Sequence, residues 1–215
     1  TGEKVWEYNT IPQPGEPGNE TWGLESWRDR TGNNVWTPAL TVDAEEGIVY
    51  MQVSTPGSNY YGGDRPGNNE PSNSVVALDA LTGELKWYFQ FTPDDPYDYD
   101  AVQIPVLVDV ERNGNQFKLM LWGNRNGFFY ILDRETGRFL SGQPFVEVNW
   151  AEGLDDSGRP IETPQPPGAP TFPGVQGGTN WYSPSYSPST ELFYVPAWED
   201  YGSVFSGAAS FAIEH

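Results

Sequence analysis

The chain has 215 residues, a formal net charge of −19, no cysteine, and a single histidine at the last position, His215. This charge would repel a nucleic acid, and the composition excludes disulfides, thiolate chemistry and zinc sites built on cysteine and histidine. No stretch approaches the roughly 20 apolar residues that span a bilayer, so we expect no membrane-spanning segment. The 24 glycines, 20 prolines and short apolar runs favour a turn-rich, all-β fold.

The first predicted element is an incomplete β-hairpin. Residues 1–6 (TGEKVW) match the turn and second strand of a hairpin whose first strand is missing. A second type of strand is predicted at 43–50 (DAEEGIVY), and 187–194 (SPSTELFY) resembles it. Residues 117–122, which follow an Asn113-Gly114 turn, fill the same place in the middle of the chain.

Residues 73–91 predict a complete β-hairpin, around which the rest of the chain is organised. Two runs with alternating side chains flank a Thr82-Gly83 turn. An acidic loop follows, in which four aspartates occur within seven residues: Asp94, Asp95, Asp98 and Asp100. A rigid hairpin that ends in a cluster of oxygen ligands is typical of a functional site.

The hairpin is part of an internal repeat. ALDxxTG at 77–83 recurs as ILDxxTG at 131–137, and FAIEH at 211–215 matches VALDA at 76–80. Three repeats of about four antiparallel strands predict three blades of a β-propeller, in one partial domain over residues 1–215. Propellers close with typically 4–8 blades, so we expect the chain to be a piece of a longer protein. The segments between the repeats, 11–34, 55–72, 92–101 and 141–180, are predicted to be irregular.

Seven short motifs point to a known family. They are PGEPGNETW at 14–22, VWTP at 35–38, RPGNN at 65–69, DYD at 98–100, NRNGFFY at 124–130, VNWA at 148–151 and GGTNW at 177–181. In this order they resemble the pyrroloquinoline quinone (PQQ)-dependent alcohol dehydrogenases, the eight-bladed quinoprotein propellers of the methanol and ethanol dehydrogenase type. The resemblance covers nearly the whole chain. It implies a PQQ cofactor together with Ca²⁺ or a lanthanide ion.

The resemblance implies roles for three cofactor contacts. Trp36 is similar to the tryptophan that stacks on the flat quinone, a role that suits an indole ring. Arg125 resembles the residue that hydrogen-bonds the quinone oxygens, where a guanidinium stabilises charge on the reduced ring. Asn180 resembles the asparagine at the cofactor edge. From the residues alone, Trp36 is also compatible with a packing aromatic, Arg125 with a surface charge, and Asn180 with a turn residue.

The acidic loop and one departure from the family concern catalysis and metal binding. Asp98 resembles the active-site aspartate, the general base for the substrate hydroxyl and a metal neighbour, and Asp100 resembles the extra carboxylate of lanthanide-using members. Clustered carboxylates suit a hard cation. Asp94 and Asp95 are expected to be solvated. Where the family usually has Gly-Asn-Pro with a metal-binding Asn, this chain has Ser54-Thr55-Pro56, so Thr55 would ligate only through its neutral hydroxyl or its carbonyl.

The resemblance implies a periplasmic or secreted enzyme that oxidises a primary alcohol or similar hydroxyl compound and passes electrons to a cytochrome c-type acceptor. As an isolated piece the chain is expected to be inactive, and to self-associate or pair with the missing blades. The alternative is a non-catalytic propeller scaffold that has lost cofactor binding, which Thr55 favours. The joint presence of Trp36, Asp98 and Arg125 favours the enzyme. Aromatic richness also suggests a carbohydrate-binding module, but propeller blades use aromatics in packing anyway.

Overall fold

Two four-stranded antiparallel sheets form the centre of the structure, a computed structural model that describes residues 2–36 and 40–205. In both sheets each strand pairs with the next one along the chain. The first sheet contains β1 (Thr41–Asp43), β2 (Ile48–Val53), β3 (Ser74–Asp79) and β4 (Leu85–Gln90). The second contains β5 (Val106–Arg112), β6 (Asn115–Gly123), β7 (Phe128–Asp133) and β8 (Phe139–Pro144).

Two smaller sheets complete the described part of the chain. They pair β9 (Ala151–Leu154) with β10 (Pro160–Glu162), and β11 (Ser185–Ser187) with β12 (Leu192–Tyr194). Short 3-10 turns occupy Asn19–Thr21 and Gly23–Glu25. Over residues 2–36 and 40–205, no helix is long and apolar enough to cross a membrane.

The β3–β4 and β7–β8 turns are built in the same way. Asp79 Oδ1 accepts the backbone N–H groups of residues 81 and 82, and Asp133 Oδ1 accepts those of residues 135 and 136. The turn glycines, Gly83 and Gly137, have φ of 72° and 73°, a region that suits glycine. We call this edge of the sheets, defined by residues 79–83 and 133–137, the turn end.

A tryptophan from the preceding part of the chain covers each turn glycine. A Cβ on Gly83 would come within 2.6 Å of the Trp6 ring, and a Cβ on Gly137 within 2.4 Å of the Trp87 ring. The Trp6 indole N–H also donates to the Ala80 carbonyl at 3.1 Å. The tryptophan ring of one repeat therefore packs on the turn of the next repeat. This contact explains why the tryptophan follows the Thr-Gly pair at the same spacing in TGEKVW and TGELKW.

Strand β3 is buried on both faces, as expected for an inner strand of stacked sheets. One face, with Val76 and Leu78, packs against Trp6 and neighbouring side chains. The other face joins the larger core between the two sheets, where the Phe91 and Trp122 rings stack at 4.8 Å. Burial of these large rings is the main stabilising contribution, at about 25 cal/mol for each Å² of apolar surface removed from water.

The predicted antiparallel all-β fold is confirmed, and two of the three repeats are four-stranded sheets. The third repeat shows two strands, β11 and β12, while its predicted strand at 211–215 lies outside the described residues, as does Thr1. The extent of the domain stays a prediction.

Two local expectations were wrong. Residues 4–8 form no strand, because no first strand lies beside them, and Trp6 packs on the turn instead. The segment 141–180 is not irregular throughout. It holds the end of β8 and the β9–β10 hairpin, whose turn is fixed by Asp155 Oδ1, which accepts the N–H groups of Ser157 and Arg159.

Candidate active site

A cavity of about 430 Å³ lies at the edge of the sheets opposite the turn end, which we call the cavity end. The chain segments that reach it leave the same edge: Thr55 follows β2, Asp98 follows β4, and Arg125 follows β6. All six residues that the sequence predicted for the site line this one cavity: Trp36, Thr55, Asp98, Asp100, Arg125 and Asn180.

Arg125 joins the two aspartates of the DYD motif. Its Nη1 lies 2.6 Å from Asp100 Oδ2, and its Nη2 lies 3.8 Å from Asp98 Oδ2. Nη2 also donates to the Val175 carbonyl at 2.5 Å. The side chains of Arg125, Asp98 and Asp100 are 5%, 13% and 9% exposed. The guanidinium is therefore held in place by the protein, and two carboxylates share one buried positive charge.

Burial changes the acidity of this pair. Burial and the charge of Asp100 raise the pKa of Asp98 to about 7, although Arg125 acts in the opposite direction. Burial also raises the pKa of Asp100, opposed by Arg125 and by the Thr55 N–H. Tyr60 donates its hydroxyl to Asp98 Oδ2 at 3.3 Å. The cavity is short of positive charge, so a cation would stabilise the ionised form of both aspartates.

The donor chemistry of the cavity fits a hard cation in part. Asp98 and Asp100 offer the carboxylate oxygens that Ca²⁺ and related ions prefer. Over residues 2–36 and 40–205, however, no group of three or more acidic, histidine or cysteine side chains is placed to hold a metal. Because Ca²⁺ takes 6–8 oxygen ligands, the two aspartates would supply only part of its coordination.

The hydroxyl, the carbonyl and the backbone N–H of Thr55 all have hydrogen-bond partners in the protein. Its hydroxyl lies 2.7 Å from Asp95 Oδ2, its carbonyl accepts the Asn33 N–H at 3.1 Å, and its own N–H donates to Asp100 Oδ1 at 2.8 Å. The side chain is buried. Both oxygens through which Thr55 was expected to ligate a metal thus already have protein partners.

Trp36 and Asn180 occupy different situations at the cavity wall. Trp36 is 39% exposed and lines the cavity. Asn180 is buried and holds its local turn, since its amide accepts the Trp181 N–H at 2.9 Å and donates to the Gln176 carbonyl at 3.1 Å. An amide has a second hydrogen and a second lone pair, so this turn role is compatible with contact to a ligand.

Two residues near the site were not found from the sequence. Asp95, expected to be solvated, is completely buried, and it accepts two hydrogen bonds from its own loop and two from Thr55 and Asn73. An Asx turn would have been the signal, since Asp95 accepts the N–H two residues further on. Tyr60 lies in a long loop without a motif and gave no signal. Asp94 is half-exposed, as expected, and its carboxylate lies 3.3 Å from Arg65.

A second cavity of about 460 Å³ adjoins the first and shares Tyr60 and Val175 with it. Its walls are largely aromatic. The Phe205 ring lies 5.9 Å from the Tyr60 ring and 5.4 Å from the Tyr97 ring. Tyr60 therefore stands between an aromatic cavity and the Asp98 carboxylate.

Comparison with known proteins agrees with this geometry. The model of a PQQ family, described as "Glucose/ethanol/alcohol dehydrogenase, beta-propeller domain", matches residues 1–153. The quinohemoprotein alcohol dehydrogenase of Comamonas testosteroni is 36% identical over 92% of this chain and 30% of its own length. The "1-butanol dehydrogenase (cytochrome c)" of Thauera butanivorans is 47% identical over 61% of this chain and 20% of its own length.

Two solved structures share the fold. The quinohemoprotein alcohol dehydrogenase ADHIIG from Pseudomonas putida HK5 superposes with a TM-score of 0.84 at 31% identity, covering 92% of this chain and 32% of that one. A europium-containing methanol dehydrogenase superposes with a TM-score of 0.77 at 33% identity, covering 91% and 35%. The chain spans about a third of the length of these proteins. On the match of the family model and of these relatives, the chain belongs to the PQQ-dependent alcohol dehydrogenase family of β-propeller proteins.

Proposed function

We propose that this chain forms one side of the active site of a PQQ-dependent dehydrogenase that oxidises a primary alcohol or a similar hydroxyl compound. The observation that supports this most directly is the buried Arg125 between Asp98 and Asp100, in a cavity that Trp36 also lines. A scaffold without a ligand would gain little from burying two carboxylates against one guanidinium, because such burial is costly unless it is fully compensated.

Each residue has a role that its surroundings support. Trp36 would stack on the quinone ring and Arg125 would donate to the quinone oxygens, while Asn180 would border the ring edge. The quinone supplies a hydride acceptor for the alcohol carbon. Asp98 accepts the hydroxyl proton at its carboxylate. Asp98 and Asp100 would hold Ca²⁺ or a lanthanide ion, which would supply Lewis acidity there. Its charge and that of Arg125 would keep Asp98 ionised, as a base requires.

The adjoining aromatic cavity suits the carbon chain of the alcohol. Its rings, from Tyr60, Tyr97 and Phe205, offer apolar surface a short distance from the Asp98 carboxylate. A hydroxyl placed near Asp98 would direct an alkyl chain toward these rings, where each buried methylene contributes about 0.8 kcal/mol. We therefore expect neutral alcohols with several carbons to be better substrates than charged or highly hydroxylated ones.

The electron acceptor and the cellular location are part of the same proposal. One relative is named for cytochrome c and others for a quinone as acceptor, so we propose a cytochrome c-type or quinone acceptor for this protein. A periplasmic or secreted location also stays a proposal, as do inactivity of the isolated chain and its self-association or pairing with further blades.

The test is loading of the intact protein that contains these residues with PQQ and Ca²⁺, followed by quinone absorbance and by dye reduction with 1-butanol. We expect stoichiometric quinone binding and alcohol-dependent turnover, both lost in Arg125→Ala and Asp98→Ala. Arg138→Ala, at an exposed position of the turn end, is the matched control and should bind and turn over normally. A folded protein that binds no PQQ at any Ca²⁺ or La³⁺ concentration would overturn the proposal and favour the scaffold.

A further inference from the structure

Asp95 lies at the centre of a buried set of hydrogen bonds behind the cavity. Its side chain has no solvent exposure. Its Oδ1 accepts the backbone N–H of Tyr97 at 2.8 Å, and its Oδ2 accepts the backbone N–H of Tyr99 at 2.6 Å. These two residues flank Asp98, whose φ of 63° is unusual for a non-glycine residue. Asp95 therefore holds the backbone on both sides of the proposed base in a conformation that it would not adopt by itself.

The same carboxylate is tied to the loop that follows β2. The Thr55 hydroxyl lies 2.7 Å from Asp95 Oδ2, and Asn73 Nδ2 donates to that oxygen at 3.0 Å. The Thr55 N–H donates to Asp100 Oδ1 at 2.8 Å. Thr55 thus contacts Asp95 with its side chain and Asp100 with its backbone, and it connects the loop after β2 to the loop that carries both proposed metal ligands.

The loop of Asp95 is also anchored through its main chain. Arg65, whose side chain has no exposure, donates from Nη2 to the Asp95 carbonyl at 2.5 Å and from Nη1 to Asn69 at 2.9 Å. The guanidinium does not bond the Asp95 carboxylate, which is satisfied by N–H and O–H donors alone. Removal of one such donor leaves a buried charge partly unsatisfied, which is costly, and the loop would move to compensate.

From these contacts we infer that Asp95 is a positioning residue for Asp98 and Asp100, and that Thr55 is a structural link between the two loops and not a metal ligand. This inference rests on the proposed function, because it assigns Asp98 and Asp100 their roles. A displacement of the base by about 1 Å can reduce turnover by up to about 100-fold. Loss of the link is therefore expected to lower kcat even when the cation site is saturated.

The experiment compares Thr55→Val with Thr55→Ser in the protein loaded with PQQ and Ca²⁺. Valine keeps the shape and the backbone N–H but removes the hydroxyl, whereas serine retains it. We expect Thr55→Val to lower kcat by about 10- to 100-fold with an unchanged KM for 1-butanol, and Thr55→Ser to restore most of the rate. Thr171→Val is the matched control, because Thr171 is likewise buried and does not line the cavity.

Two further measurements separate a link from a ligand. In Thr55→Val, kcat should stay low at Ca²⁺ and La³⁺ concentrations that calorimetric titration shows to be saturating. Native-state hydrogen exchange of the cofactor-free protein should show faster exchange of the Tyr97 and Tyr99 amides in Thr55→Val and in Asp95→Asn, with core amides unchanged. A raised Kd together with recovery of kcat in excess Ca²⁺ would make Thr55 a ligand and overturn the inference.

The outcomes also distinguish this inference from the proposed function. If the unmodified protein is active and Thr55→Val keeps full kcat, the link is refuted while the enzyme assignment stands. If the unmodified protein binds no PQQ, the enzyme assignment fails and the positioning role fails with it, whatever the amides show. Unchanged exchange of the Tyr97 and Tyr99 amides in a folded Thr55→Val protein would by itself refute the link.

Discussion

The first and the second sheet resemble each other closely at the turn end and differ at the cavity end. At the turn end the sheets are near copies, with the same aspartate bonds, the same φ at Gly83 and Gly137, and the same tryptophan cover. At the cavity end they diverge. Residues 54–73 connect β2 to β3, whereas residues 124–127 make a tight turn between β6 and β7. The repeated end fixes how the sheets stack, which leaves the other end free to build a site from dissimilar loops.

The pKa values of the aspartates also differ between the turn end and the cavity end. Backbone N–H groups of Thr82 and Leu81 lower the pKa of the exposed Asp79 at the turn end. Burial raises the pKa of Asp98 at the cavity end to about 7. The backbone N–H groups of the turn favour the ionised form of Asp79. The loss of water around Asp98 favours its protonated form. Structural and chemical roles of the same residue type are thus separated along the length of the strands.

The largest expected effect that would sharpen this comparison is that of Asp98→Asn on turnover. Loss of a general base costs about 10²–10⁴ in kcat, whereas the melting temperature of the metal-free, cofactor-free protein at about pH 4 should hardly change, because the amide has the shape of the protonated carboxyl group. Steady-state dye reduction with 1-butanol and thermal unfolding measure the two quantities. Asp79→Asn is the control and should leave kcat unchanged. A comparable loss of kcat in both variants would mean that the two ends do not have separate roles.

The next effect is on stability at the turn end. In Gly137→Ala the new Cβ would lie 2.4 Å from the Trp87 ring at a φ of 73°. Left-handed backbone costs about 1–2 kcal/mol and overpacking about 1–3 kcal/mol, so we expect a loss of about 2–5 kcal/mol by urea unfolding.

Gly114→Ala is the matched control for the Gly137 variant. Gly114 has a φ of 77°, and nothing lies within 4 Å of a Cβ built on it. It should therefore show only the backbone cost of about 1–2 kcal/mol. Equal losses in the two variants would show that the tryptophan cover does not constrain the turn.

The pH dependence of stability should have opposite signs at the two ends. The raised pKa of Asp98 favours the protonated folded state, so in the metal-free, cofactor-free protein this stabilisation is present below about pH 4 and is lost as pH rises through about 7. The lowered pKa of Asp79 gives stabilisation that is present above its ordinary pKa and is lost in acid. Urea unfolding of Asp98→Asn should show a smaller loss of stability as pH rises from about 4 to about 7. Urea unfolding of Asp79→Asn should instead show a smaller loss of stability in acid. A smaller loss in acid for Asp98→Asn would contradict the assignment.

The smallest expected effect is that of removing one turn acceptor. Asp133→Ala deletes bonds to the N–H groups of residues 135 and 136 and to the Thr136 hydroxyl at 2.7 Å. The turn is exposed, and water replaces the lost acceptor in part, so we expect a loss of about 1 kcal/mol by urea unfolding. Asp79→Ala should cost about the same. A loss several times larger in only one variant would show that the two turns are not equivalent.

The parts of the fold that the sequence predicted are those with short-range signals. Alternation at 75–79 and 85–89 and the Asp-x-x-Thr-Gly turns are local, and the structure forms them as strands and turns. The β9–β10 hairpin was missed because its strands are short and its turn depends on the side chain of Asp155. Residues 1–6 were predicted as the turn and second strand of a hairpin whose first strand is missing, and the described residues 2–6 form no strand, because a strand requires a pairing partner.

In the candidate site too, the sequence predicted only what short motifs reveal. Trp36, Asp98, Arg125 and Asn180 were singled out from motifs, and the structure brings them to one cavity, while their individual roles stay predictions. Asp95 was misjudged because a run of aspartates is usually solvated, and only the fold shows that donors from residues 55, 73, 97 and 99 surround it. Burial is a property of the whole chain. It therefore cannot be read from the residues next to Asp95.

The tryptophan cover of the turn glycines has a consequence for cooperativity. Because Trp87 belongs to the first sheet and Gly137 to the second, melting of the first sheet would expose the turn of the second. The two sheets are therefore expected to unfold in one transition, as nearest neighbours in a linear array of coupled units do. Thr55 and Asp98 follow strands of the first sheet, and Arg125 follows one of the second. States in which one sheet, and with it one half of the cavity, is unfolded should thus be rarely populated. Ligand release would then depend on motion of the loops while both sheets stay folded.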